Sequence, residues 1–223
     1  MTAIVWDASG AKYLETGVDH GVLYTFDKEK NEYNNGVAWN GLTAVTESPS
    51  GADANDLYAD NIKYASLRAA ETFGATVEAY TYPDEFAQCD GSAQLAEGVM
   101  IGQQNRDTFG LFYRTKLTND LNIDEYKYHL IYGATASPSE KAYATVNDSP
   151  DAITFSWELT TTPVNVKDHK PTAILTIDTE KADKENIKEL EKILFGSEEA
   201  EPRLPLPDEV AKILTEGAAG IAG

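Results

Sequence analysis

The feature that most constrains this chain is a repeated pattern of short runs in which β-branched and aromatic residues alternate with polar ones. Val22 to Phe26, Ala75 to Tyr82, Phe109 to Leu117, Tyr126 to Tyr132, Ala152 to Thr162 and Thr172 to Ile177 all have this character, bounded by Gly, Asn, Asp and Pro. A period of two is the signature of a strand with one buried face. Across Ile153 to Leu159 the odd positions are apolar and the even ones polar, which turns one face inward and the other toward water or a partner. Tyr126, Tyr128, Leu130 and Tyr132 repeat the pattern. The spacing predicts a mainly β fold of antiparallel strands.

The punctuation between runs refines this. Asn34-Asn35-Gly36 and Asn119 to Asn122 have turn chemistry, because Asn and Gly tolerate positive φ. The second turn predicts a hairpin between Phe109–Leu117 and Tyr126–Tyr132. Glu47 to Asp60, ESPSGADANDLYAD, predicts a long exposed loop. Ile62 to Thr72 fits a helical stripe through Tyr58, Ile62, Ala65 and Ala69 as well as it fits strand alternation. Ile187, Leu190, Ile193 and Leu194 predict one flanking amphipathic helix over 179–195, capped by Asp178 or Thr179 and stopped by Gly196. Residues 1–196 then form one domain. Pro202, Pro205 and Pro207 make 197–223 an extended C-terminal arm, with room for one short helical stretch from Asp208 to Leu214 and a frayed end.

Composition excludes several function classes. The 18 Lys and Arg against 37 Asp and Glu leave a net charge of −19, which repels phosphate backbones and anionic membranes. Such acidity also serves solubility. With Cys89 the single cysteine, no internal disulfide and no multi-cysteine metal site can form, and an inert thiol is expected. MTAIVWDASGAKYLETG has no basic region followed by an apolar stretch, and no apolar run approaches the roughly 18 residues of a membrane span. Synthesis in the cytoplasm without membrane insertion is expected.

Catalytic signatures are missing. Gly91-Ser92 lacks the flanks of a nucleophile elbow, and no Gly-rich loop ends in Gly-Lys-Ser or Gly-Lys-Thr. His20, His129 and His169 fit no metal-binding spacing and read as structural or surface residues. Asp53, Asn55, Asp56 and Asp60 suggest a calcium loop until Leu57 and Tyr58 occupy positions that need an oxygen ligand and a glycine. Glu78, Asp84 and Glu85 could be imagined as an acid and base pair, but carboxylates are too abundant here for proximity to count. Pro83-Asp84-Glu85-Phe86 reads better as the first turn of a short helix. Tyr80, Tyr82 and Phe86 read as core or interface rather than a sugar-stacking platform. No catalytic residue, cofactor or metal is expected.

The stretch YADNIKYASLRAAETFGATVEAYTYPDEFAQCDG, Tyr58 to Gly91, resembles the major tail protein of long-tailed, non-contractile bacteriophages of Gram-positive hosts. YKYHLIYG at Tyr126, FSWELTTTPV at Phe155, TAILTIDT at Thr172 and LPLPDEV at Leu204 follow in the same order, so the resemblance runs from about Asp7 to Leu214. It implies a tail tube β-sandwich in hexameric rings that stack into a hollow tube, part of the virion, through which phage DNA passes unbound. Strands of neighbouring subunits would join into a continuous inner barrel. Implied partners are copies of the chain itself, a tape measure protein, and tail terminator or baseplate proteins. Glu78 and Glu158 are then candidates for the lumen face, and Asp53, Asp56 and Asp60 mark the candidate inter-ring loop. No second immunoglobulin-like module is expected after Ile177. The alternative is a monomeric carbohydrate-binding or adhesin-type sandwich, with a glycosidase third.

Overall fold

The computed structural model describes residues 3–121, 124–145, 152–198 and 200–216. Strands β1 (Tyr13–Asp27), β2 (Glu32–Trp39) and β3 (Leu42–Glu47) open the chain, followed by the short β4 (Ser50–Gly51). Next come β5 (Ala54–Ala59), β6 (Ile62–Arg68), β7 (Glu71–Thr72) and β8 (Gly74–Ala79). A 3-10 helix at Asp84–Gln88 leads to β9 (Ala93–Ala96) and β10 (Val99–Ile101). The chain finishes with β11 (Phe109–Asn119), β12 (Asp124–Ala136), β13 (Phe155–Thr161), β14 (Ile174–Asp178), α1 (Lys184–Phe195) and α2 (Pro207–Glu216). The architecture is mainly β and antiparallel, as the alternation predicts.

The eight-stranded sheet runs β2-β1-β11-β12-β13-β8-β3, with β14 also on β12. It curls so that β13, β8 and β3 pack over the rest, burying Leu23, Trp39, Val77, Phe86, Phe109, Leu111, Ile131 and Trp157 between the two halves. Trp157 is the hub, with the rings of Phe86, Tyr82 and Trp39 at 5.1, 5.3 and 5.6 Å. On the other face of β1, β11 and β12, Tyr24, Phe112, Tyr128, Leu130 and Tyr132 meet Ile187, Leu190 and Leu194 of α1 and Val210 and Ile213 of α2. Strand β12 is therefore covered on both faces. Of the water or partner expected against the second face of Tyr126–Tyr132, the structure supplies the chain's own helices, in a three-layer arrangement.

The hinge of the curl is Gly133. Strand β12 pairs with β14 from Lys127 to Ile131 and with β13 from Ala134 to Ala136, with an extra residue opposite β11 between Ile131 and Ala134. Gly133, at φ +60, is that bulge. Tyr132 faces the helices and Ala134 faces the sandwich core because the bulge breaks the alternation.

Several expectations change. The predicted loop Glu47–Asp60 is a β arm: β5 pairs with β6 across a two-residue turn whose residues, Asp60 and Asn61, both have positive φ (49 and 61). That is the geometry two-residue hairpins favour. Ile62–Arg68 is accordingly strand. Asn34-Asn35-Gly36 is a bulge within β2, and the β1–β2 turn falls earlier, at Lys28–Asn31. Helix α1 begins at Lys184, capped by Asp183, whose carboxylate accepts the N–H groups of Glu185 and Asn186 at 2.9 and 3.1 Å. Such a cap contributes about 1 kcal/mol. Thr179, read as a cap, is instead buried, with its hydroxyl on Tyr126 of β12. The short helical stretch expected over Asp208–Leu214 is α2, and the arm, rather than staying extended, docks through Leu204, Val210 and Ile213. The predicted frayed end, from 217 on, lies outside the described residues.

Candidate functional site

Strands β3 and β8 are the base of a single projecting ribbon. Ser48 N–H donates to Gly74 O at 2.8 Å, β4 pairs with β7, Ala69 N–H donates to Asp53 O, and β5–β6 form the tip. At about 3.3 Å per residue, the arm from 48 to 60 reaches on the order of 40 Å. Its tip exposes apolar side chains: Leu57, Tyr58 (70%), Ile62, Tyr64 (75%) and Leu67. Of the acidic residues singled out there, Asp53 and Asp60 are exposed, Asp60 in the turn. Asp56 pairs with Lys63 at 2.7 Å, and that hydrogen bond holds its carboxyl below the usual range. The three are strung along a ribbon rather than gathered round a centre. Among the described residues, no group of three His, Cys, Asp or Glu could hold a metal ion.

The outer face of β13-β8-β3 carries the other two predicted residues. Glu78 sits between Ala44 and Ser156, and Thr76 sits between Thr46 and Glu158, so Glu78 and Glu158 are diagonal neighbours on one face. Their inward neighbours Val77, Trp157 and Leu159 fill the core. No lysine or arginine occurs in any of these three strands. The face is thus acidic and hydroxylated, with nothing to hold a phosphate.

Strand edges are open as well. Among the described residues, Tyr13 to Asp19 of β1 pair only with β11, since β2 joins β1 from Gly21 onward. Strand β14, among the described residues, pairs with β12 alone. Ile4, Val5 and Trp6 ahead of β1, and Leu14 within it, are exposed.

The two ends of the sandwich core are closed by polar clusters that sequence reasoning missed. At one end Asp90 accepts from Trp157 Nε1 (3.2 Å) and Lys141 Nζ (2.7 Å), with Arg106 Nη1 at 3.5 Å. Beside it Cys89 is buried, and burial pushes its thiol up to about 12, as an inert role requires. At the other end His129 of β12 lies among Glu15 of β1, Glu47 of β3 and Tyr113 and Thr115 of β11. Its alternation with Ile131 was the available signal, placing it inward. Of the aromatics weighed as a sugar platform, Phe86 and Tyr82 are in the Trp157 cluster and only Tyr80 is exposed.

No family model and no curated protein matches the sequence. Among solved structures, a chain of the anti-feeding prophage baseplate, 6-fold symmetrised, is 8% identical, with 78% of this chain and 97% of that one covered at a TM-score of 0.37. A chain of the sheath-tube complex of the PVC extracellular contractile injection system is 13% identical, with 78% and 94% covered at 0.35. A chain of the anti-feeding prophage tube-terminating cap is 10% identical, with 80% and 95% covered at 0.34. Each is a distant likeness.

Proposed function

We propose that this chain is a non-catalytic tail tube subunit, assembling with copies of itself into stacked hexameric rings whose central channel passes DNA during ejection. The observation that carries this reading is the ribbon: a long β arm exposing Leu57, Tyr58, Ile62, Tyr64 and Leu67, which the subunit alone leaves uncovered. Contiguous exposed apolar surface of this kind marks a protein contact. The open β1 and β14 edges supply backbone donors and acceptors for strand pairing between subunits, which removes the hazard an edge otherwise presents. The base-free face carrying Glu78 and Glu158 suits a channel wall, because a polyanion slides past carboxylates and is held by cations. Tape measure, terminator and baseplate proteins are the further partners of this reading, with the virion tail as its location.

The test is negative-stain electron microscopy of concentrated protein. Rings or tubes with a central hole are expected, and persistent monomers under assembly conditions would return the chain to the glycan-binding class, with Tyr58 and Tyr64 as stacking residues. The variant Tyr58→Asp/Ile62→Asp should keep the wild-type circular dichroism and Tm. It should raise the protein concentration needed for assembly at least about tenfold, equivalent to ~1.4 kcal/mol. Assembly at the wild-type concentration would remove the ribbon from the interface.

A further inference from the structure

We propose that the groove between β14 and α2 is the seat for Leu14 of a second copy, whose open β1 edge pairs with the open β14 edge. The groove, about 380 Å³, is lined by Leu175 and Ile177 of β14, by Ala182, and by Val210, Ala211 and Leu214 of α2. Its apolar wall runs beside the edge that lacks a strand. Residues directly opposite each other in a sheet share a face. Ile177 lies opposite Tyr128 and Leu175 opposite Leu130, so both turn to the helix side, as Tyr128 and Leu130 do. A strand added to β14 would therefore lay alternate side chains against α2.

The chain carries a matching knob on its other edge. Leu14 lies opposite Thr118, and Thr118 lies opposite Asp124, two residues before Tyr126, so Leu14 also faces the helix side. It is 69% exposed and belongs to neither core cluster. The strand directions agree as well. Strands β1, β11, β12 and β14 alternate in direction, so β14 runs opposite to β1. A copy set beside β14 in the same orientation, with its helices on the same side, offers its β1 antiparallel, the pairing used throughout this sheet. With Leu14 opposite Ile177, Thr16 falls opposite Leu175 and Tyr13 opposite Asp178. The stretch from Tyr13 to Thr16 is regular, because the β1 register shifts only between Thr16 and Val18.

A second copy in this orientation is the occupant that uses both features. A two-fold pair through β14 and its counterpart would also be antiparallel, but it would set groove against groove and leave Leu14 in water. The head-to-tail contact buries the knob in the groove and repeats from copy to copy, as a closed ring requires. This inference rests on the tail tube reading for the premise that copies associate. It adds which edge meets which, on which face, and makes α2 part of the interface.

The experiment uses the full chain. Leu14→Cys and Ala211→Cys proteins are mixed at a concentration at which the wild type assembles and are treated with a short bismaleimide; Cys89 is buried and does not compete. A covalent dimer is expected in the mixture and in neither protein alone, and the double variant should give a ladder beyond the dimer. Leu14→Asp should keep the wild-type Tm, since the side chain is exposed in the single subunit. It should raise the concentration needed for assembly at least about tenfold, the effect of losing one buried leucine, whereas Leu14→Met should assemble as the wild type does. Rings that form without the mixed dimer, or Leu14→Asp assembling at the wild-type concentration, would overturn the groove contact and leave the tube reading standing. A dimer of Ala211→Cys alone would put the two-fold pair in its place. Monomers in the microscope with no mixed dimer at the highest concentration reached would bring down both.

Discussion

Asp90→Ala should lower folding stability by about 3–5 kcal/mol, the usual cost of deleting one member of a buried ion pair. The carboxylate side chain is 8% exposed and serves three donors at once: the Trp157 indole, Lys141 and Arg106. Its removal strands two partly buried cations and leaves the Trp157 N–H unpaired at the centre of the aromatic cluster. Arg106 retains one bond, to Ala136 O at 3.1 Å. The measurement is the urea midpoint at constant m value. A loss under about 1 kcal/mol, the range of exposed pairs such as Lys28–Asp107, would mean that water replaces the carboxylate without penalty.

A comparable or larger loss is expected for Gly133→Ala. An added Cβ would lie 2.1 Å from Thr162 O, a backbone atom that is itself fixed because Thr162 N–H donates to Gly133 O at 2.9 Å. Left-handed strain of about 1–3 kcal/mol and overpacking of about 1–3 kcal/mol together put the cost on the order of 4 kcal/mol. The bulge also leaves the Gly133 N–H outside the strand ladder, and the Tyr33 hydroxyl accepts it at 2.8 Å. Gly98→Ala is the control, since Gly98 has φ +75 but nothing within 4 Å of the added carbon. It should show the conformational cost alone, about 1–2 kcal/mol. Equal losses at the two positions in thermal unfolding would show that the Thr162 clash relaxes away.

The contrast between those glycines illustrates what the sequence could and could not reveal. The run Phe109 to Leu117, its hairpin partner Tyr126 to Tyr132 and the stripe Ile187 to Leu194 were legible because each has a face against the core, and burial writes a period into the residues. The ribbon was illegible for the converse reason. Its exposed residues Asp53 to Asp60 bury neither face, so no alternation is imposed and polar composition imitates a loop. Register switching at Gly133 is set by Thr162, Ala173 and Tyr33, all distant in sequence. The start of α1 was misplaced because Asp178 and Asp183 are equally good caps by type, and only the attachment of Thr179 to β12 decides between them. Alternation marks Glu78 and Glu158 as outward on their own strands, whereas their sharing one face and the clusters around Asp90 and His129 depend on pairings that only the curled sheet brings together.

The open N-terminal half of β1 also bears on how the chain is made. Its other half zips at once with β2 across a short turn, but Tyr13 to Asp19 have only β11, with Tyr13 opposite Asn119. With roughly 100 residues still to be synthesised at about 5–20 per second, that segment waits on the order of 5–20 s for its partner. During that interval a neighbouring nascent chain competes for the same strand. The residues made by then, with 17 Asp and Glu against 8 Lys and Arg through Asn119, are already net acidic, which keeps newborn copies apart until each has closed its own sheet.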